Sequence, residues 1–239
     1  MTNIMGTINL MDASRKEDVK RFHHVSTDEV YGDLPLDRTD LLFTEESRYD
    51  PSSPYSAAKA GSDHFVRAYI RSFGFPATIS NCSNNYGPYQ FPEKLIPVII
   101  SKALNNEKVP VYGKGENVRD WIHVYDHNVG VDKIVRKGKI GETYNLGGHS
   151  ERTNLEVVRT ILGLLEKPLD LIEFVTDRAG HDLRYAIDST KMLKELGWAP
   201  SYSFGNGIKK TVEWYVNNQD WIENIKSGEY KLSYKRKSI

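Results

Sequence analysis

Two groups of residues carry most of the chemistry open to this sequence. In the run Ser52-Ser53-Pro54-Tyr55-Ser56-Ala57-Ala58-Lys59 a phenol and an ammonium stand four residues apart. That is about one helical turn, so on a helix both project from the same face. A cation beside a phenol favours phenolate and lowers its pKa, which makes Tyr55 a base able to take a proton from a hydroxyl near neutral pH. Upstream, Val25-Ser26-Thr27-Asp28-Glu29-Val30-Tyr31-Gly32 sets two adjacent carboxyls behind a threonine. Such a pair can divide acid and base roles only if the two environments separate their pKa values. Asp28-Glu29 also fits a helix cap with an acidic first turn, but Val30-Tyr31-Gly32 follows at once and leaves no helix to cap.

The elements that must hold these groups are readable in outline. Residues 3–13 place Ile4, Ile8 and Met11 at helical spacing. Residues 20–26 read as a short strand ending at the Ser-Thr-Asp-Glu run. Residues 34–50 are polar and broken by Pro and Asp, hence a loop. Ser53 is an expected N-cap with Pro54 at the first helical position, and the helix runs through Lys59, Phe65, Ala68 and Tyr69 to stop near Gly74. Residues 77–81 form the next strand. Strand, helix, strand in this order predicts a parallel pair joined by a right-handed crossover. Catalytic groups then belong at the carboxyl ends of the strands, where residues 27–29 and 81–85 fall.

Beyond Pro88, helices are expected at 95–104, 126–137, 154–165 and 208–216, with extended segments at 109–112, 118–124 and 142–146, then a polar tail. The 239 residues hold 32 Lys plus Arg against 32 Asp plus Glu, so no net charge steers the chain to nucleic acid or an anionic membrane. One cysteine, Cys82, rules out an internal disulfide framework and a cysteine-rich zinc site; it reads as a small packed residue. His123 and His127 lie one turn apart but lack the metalloprotease carboxylate, so they read as structural histidines and no metal is expected. Arg119 and Asp120 invite a structural ion pair. Without a signal peptide or long apolar span, a soluble cytoplasmic protein follows.

The joint set of motifs resembles the extended short-chain dehydrogenases/reductases, and within them the dTDP-glucose 4,6-dehydratases. It comprises Val25 to Gly32, Tyr55-x-x-x-Lys59, Asn81-Cys-Ser-Asn-Asn-Tyr-Gly-Pro88, Pro92-Glu-Lys-Leu-Ile-Pro97, Val118-Arg-Asp-Trp121 and Asp177-Arg-Ala-Gly-His-Asp-Leu-Arg-Tyr185, in that order. The resemblance implies an α/β protein with a partial doubly wound, Rossmann-type parallel sheet and a smaller C-terminal substrate-binding domain. The NAD-binding part would span 1–88 with 121–147 contributing, and the nucleotide-sugar part 89–239. It implies an internal redox dehydration of dTDP-glucose with NAD as cofactor: oxidation at C4, elimination of water across C5–C6, hydride return to C6. Tyr55 would be the base at C4, and Lys59 would hold the cofactor ribose. Thr27 would hydrogen-bond the C4 hydroxyl, Glu29 would take the C5 proton, and Asp28 would protonate the departing C6 hydroxyl. Asp28 must therefore stay protonated, as the less solvated of the two carboxyls or by sharing a proton with Glu29. Thr2 and Asn85, with Tyr55 and Lys59, match cofactor-contact positions. Asn84, Lys94, Leu95, Pro110, Tyr112, Arg119, Asn154 and the run Asp177, Arg178, Ala179, Gly180, His181 match substrate positions. Arg119 and Arg178 suit a diphosphate, whose oxygens fit guanidinium donors. A homodimer built on a four-helix contact, from residues 53–72 and 3–14, is also implied.

The resemblance further implies a strand, Gly-rich turn and helix gripping the cofactor pyrophosphate; no such run occurs in the 239 residues. Met1 to Thr7 corresponds to a helix well inside the family's nucleotide-binding domain, so an N-terminal truncation is expected, with an exposed strand edge and weakened cofactor affinity. Two alternatives remain: a non-catalytic remnant binding a nucleotide sugar or partner subunit, and a UDP-sugar epimerase or decarboxylase, which shares Tyr-x-x-x-Lys but has no need of adjacent acid and base.

Overall fold

The computed structural model describes residues 2–177 and 181–228. The chain divides into two units, Met1–Asn85 with Asn117–Arg152 and Arg178–Tyr202, and Tyr86–Glu116 with Thr153–Asp177 and Ser203–Ile239.

In the first unit, α1 (Thr2–Lys16) leads to β1 (Phe22–Thr27), a 3-10 turn (Asp28–Tyr31), α2 (Pro54–Phe73) and β2 (Ala77–Cys82). β1 pairs in parallel with β2 from Phe22↔Ala77 to Thr27↔Cys82. β2 pairs in parallel with β6 (Thr143–Leu146), giving the order β1-β2-β6 with β1 at an edge. The fold is α/β with a parallel sheet, as expected. Helix α2 starts where Ser53 and Ser56 form a reciprocal capping box with Pro54 behind them, and stops at Gly74 in left-handed conformation. Met11 of α1, Val66 of α2 and Phe75, Ala77 and Ile79 beside or within β2 make one apolar cluster. A second cluster joins Ile122, Ile134, Tyr144, Leu146, Met192, Leu196 and Trp198, drawn from β5 (Val118–His123), α4 (Val124–Lys137), β6, α6 (Thr190–Leu196) and its C-terminal flank. After β6, a Cβ on Gly148 would stand 2.0 Å from Trp121 O, so only glycine lets the two backbones meet there.

In the second unit, α3 (Leu95–Leu104), α5 (Asn154–Leu164) and α7 (Phe204–Asn217) pack on one another. They bury Ile96, Ile99 and Ile100, Val157, Val158, Ile161 and Leu162, and Ile208 and Val212. β4 (Val109–Tyr112) pairs in parallel with β8 (Ile172–Val175).

Several segments differ from the sequence reading. Short β3 (Asn84–Tyr86), β7 (Glu151–Thr153), β8 and helix α6 lack a long enough periodic pattern to stand out alone. The expected polar tail contains α8 (Gln219–Ser227), whose buried face is little more than Ile222; Lys235, Arg236 and Lys237 lie outside the described residues. A short 3-10 turn does follow Thr27, which caps it by accepting from Glu29 N at 3.4 Å. The polar loop at 34–50 is held by distant partners. Arg184 donates to Arg38 O and Leu41 O while paired with Glu151 at 2.6 Å. No helix among the described residues is long and apolar enough to cross a membrane.

His23 on β1 and His127 on α4 are held neutral, their pKa pushed down to about 4, first of all by burial. A folded-state pKa below the unfolded value means the unfolded chain binds the proton more readily. Their contribution to stability is complete above pH ~6.5 and is lost as pH falls toward 4. Replacing either by glutamine should flatten the fall in Tm between pH 6.5 and 4, measured by circular dichroism melts.

Candidate active site

β1 ends in the carboxyl couple. Burial there follows from the 3-10 turn, which tucks Asp28, Val30 and Tyr31 inward. Asp28 is 2% exposed. Its Oδ1 accepts from Thr27 Oγ1 at 3.4 Å, and its Oδ2 has no partner. A carboxylate so placed is costly, and the Asp28 pKa is raised well above the usual range. Burial is the main cause, then the charges of Glu29 and Asp120, against the pull of Arg119 and the Thr27 hydrogen bond. Glu29 stands half-buried beside it. The expected asymmetry between the two carboxyls is therefore present.

Tyr55 sits in the first turn of α2, half-exposed, and Lys59 one turn further on. Lys59 Nζ donates to Val25 O at 2.7 Å, tying α2 to β1. The expected acidified phenol is not found. The Tyr55 pKa is raised, first by burial and then by Glu29, Cys82 and Asp28. Lys59 turns its ammonium to the strand carbonyl, and its own pKa is lowered by burial, with Asp63 and Cys82 opposing. The same interactions show that Tyr55 lies within electrostatic reach of both Asp28 and Glu29.

Beyond β2, Asn84 Oδ1 is buried without a partner, and Asn85 Nδ2 donates to Ser83 O at 3.1 Å. Arg119 on β5 is 8% exposed. It donates to Asp182 O at 2.9 Å and Val118 O at 2.8 Å, and its guanidinium lies 4.3 Å from the Tyr185 ring centroid. Asp28 and Glu29 both help to hold its charge. The expected Arg119–Asp120 ion pair is absent: neighbours on a strand face opposite ways. Asp120 instead accepts from Gly148 N at 2.8 Å and Ser150 N at 2.7 Å. Tyr185, whose phenol donates to Asp182 Oδ2, also feels Glu29. Its position within the 177–185 motif was the only sequence signal for it. Asp120, whose charge acts on Asp28, was signalled by the 118–121 motif but read as an ion-pair partner; Asp63, whose charge acts on Lys59, had no such signal. Thr2 lies exposed in the first turn of α1, and His181 is half-buried.

The second unit carries the remaining matched positions. Lys94 precedes α3, with Nζ 3.8 Å from Glu93 Oε1, and Leu95 opens the helix. Pro110 and Tyr112 are on β4. Asn154 opens α5 behind the Thr153–Glu156 capping box, its Oδ1 buried and unpartnered. Asp177 lies against the Gly113 turn. Arg178, Ala179 and Gly180 lie outside the described residues.

Elsewhere, His123 caps α4, accepting from Tyr125 N at 3.3 Å, and stacks on Tyr202 with ring centroids 4.1 Å apart. Among the described residues no three His, Cys, Asp or Glu side chains cluster as metal ligands would. The Cys82 thiol is pushed up to about 12 by burial.

Comparison with known proteins resolves the family. Residues 1–211 match the family model for GDP-mannose 4,6 dehydratase. A dTDP-glucose 4,6-dehydratase of Neisseria meningitidis serogroup B is 52% identical over 251 residues, covering 97% of this chain and 70% of the relative. The chain belongs to the dTDP-glucose 4,6-dehydratase family. The crystal structure of such an enzyme from Bacillus anthracis, in complex with NAD, superposes with TM-score 0.89 at 48% identity, covering 94% of this chain and 70% of that one. A UDP-glucose 4-epimerase from Thermus thermophilus matches at TM-score 0.83 but only 26% identity, over 90% of this chain and 70% of that one. Fold is thus shared with epimerases, while the sequence sides with the dehydratases.

Because the folded state resists ionising Asp28 and the unfolded chain does not, the cost is absent below pH ~4 and grows as pH rises from there toward the raised folded pKa. Asp28→Asn should stabilise the protein at pH 7 by on the order of 1 kcal/mol or more, with the gain vanishing near pH 4. Urea melts at the two pH values measure it.

Proposed function

We propose that this chain carries the catalytic residues of an NAD-dependent dehydration of dTDP-glucose to dTDP-4-keto-6-deoxyglucose. The observation that carries the reading is the division between two adjacent carboxyls, Asp28 buried with its pKa raised by that burial, Glu29 half-open. Elimination of water needs one group to take the C5 proton and another to give a proton to the departing C6 hydroxyl. Glu29 takes the first role and Asp28 the second. Thr27 orients the C4 hydroxyl, and Tyr55 takes its proton. A protonated Asp28 also withdraws one of the charges that raise the Tyr55 pKa, which brings the phenol closer to the basicity range the step requires.

Bound NAD supplies the acceptor and later donor of the hydride. The residues present fit its nicotinamide-ribose end: Tyr55 and Lys59 stand on one helix face, and Asn85 follows just beyond the end of β2. Thr2 is assigned a further contact. No Gly-rich strand-to-helix turn that would cradle the pyrophosphate occurs among the described residues. Arg119 and Asn84, and in the second unit Lys94, Leu95, Pro110, Tyr112, Asn154 and Asp177, are assigned to the nucleotide diphosphate sugar, together with Arg178, Ala179, Gly180 and His181. A homodimer through α1 and α2 belongs to the same reading. The epimerase alternative leaves the buried acid without a task.

Tyr55→Phe and Glu29→Gln, placed in a full-length dehydratase framework, should each lower turnover of dTDP-glucose by about 100-fold or more while leaving dTDP binding by calorimetry within about twofold. Unchanged turnover in either variant would remove the assigned role.

A further inference from the structure

Asp63 is a fully buried carboxylate that the reaction above does not use. It lies on α2 four residues beyond Lys59 and eight beyond Tyr55, so all three share one side of the helix. Its Oδ1 accepts from His24 Nε2 at 3.0 Å, and its Oδ2 from Ser26 Oγ at 2.8 Å and Tyr49 Oη at 2.9 Å. His24 and Ser26 flank Val25, whose carbonyl receives the Lys59 ammonium. Two links one helical turn apart therefore join α2 to the last residues of β1 before Thr27, Asp28 and Glu29. Tyr49 extends the network, its oxygen accepting from Asn81 Nδ2 at 3.2 Å on β2. Asn81 also donates to Tyr31 Oη at 2.8 Å, on the turn carrying the carboxyl couple.

We propose that Asp63 is a positioning residue: by clasping His24 and Ser26 it sets where Lys59 and Tyr55 stand against Thr27, Asp28 and Glu29. A buried carboxylate with three donors is rigid because loss of any one leaves charge unpaired in a dry site. A strand clasped on both sides of Val25 presents its carbonyl to Lys59 in one place. The Asp63 charge also favours the Lys59 ammonium, with Cys82 on β2 acting in the same sense. Facing Tyr55 are Glu29 and Asp28 on the turn and Cys82 on β2.

The test rests partly on the proposed reaction and is arranged to separate the two. Lys59 is titrated by NMR of carbon-labelled lysine in the full chain, as wild type, Asp63→Asn and Asp126→Asn. Asp126 is a control carboxylate, also buried, bonded instead to Ser201 Oγ at 2.6 Å and Tyr202 N at 2.9 Å. Asp63→Asn should move the Lys59 midpoint to lower pH, and Asp126→Asn should leave it in place. In a full-length dehydratase framework, Asp63→Asn should lower kcat about tenfold or more with KM for dTDP-glucose little changed. An unmoved Lys59 midpoint in folded Asp63→Asn overturns the clasp, whether or not dTDP-glucose is turned over. A shifted midpoint beside a framework inactive on dTDP-glucose supports the clasp and overturns the reaction assigned above. Should Asp63→Asn not fold, Ser26→Ala removes one donor and keeps the charge. Faster amide exchange at Asp28–Tyr31 with α4 unchanged then supports the proposal, and equal rates overturn it.

Discussion

The seam between β1 and α2 is the constraint on which the site depends. Neither element could hold the reacting groups alone. Among the described residues β1 is an edge strand, hydrogen-bonded to β2 alone, and Tyr55 lies in the first turn of a helix, where the backbone is least restrained. The bond from Lys59 Nζ to Val25 O and the carboxylate of Asp63 against His24 and Ser26 remove that freedom. Apolar packing supports the seam from below, where Ala60 of α2 meets Val30, Tyr31 and Ile187. The reading of function then follows from a geometry that polar bonds specify and apolar contacts hold.

Electrostatics in the first unit is arranged by exclusion of water more than by ion pairing. Burial is the first cause of the shifts at Asp28, Tyr55, Lys59 and Arg119. Each group resists its charged form, and each is sensitive to whether its neighbour is charged. A proton moved at one site therefore changes the readiness of the others, which is a suitable property for chemistry that takes up and gives back protons in sequence.

Much of this was legible beforehand. The Ser53-Pro54 start and Gly74 stop of α2 are local signals, as are the helical spacings of α3 and α5, and the structure reproduces them within a residue. The motif at 25–32 and the pair Tyr55 and Lys59 pointed to the family that the comparisons show. Hidden were elements whose stability is non-local: β3, β7 and β8 are three or four residues long and exist through their partners. The loop at 34–50 is ordered by Arg184, more than a hundred residues away. The 3-10 turn after Thr27 was missed because a single turn leaves no periodicity to read.

Residue type and spacing alone determined that a phenol and an amine would share a helix face and that two carboxyls would follow a strand, because helical and strand periodicities are local consequences of backbone geometry. Only the tertiary structure decided what those groups are. Lys59 reaches a strand carbonyl and does not acidify Tyr55, Asp120 turns to the backbone of Gly148 and Ser150, and Asp28 loses water on every side. A pKa depends on the solvent and charges within a few ångströms, and in a folded chain most of those come from residues far away in sequence.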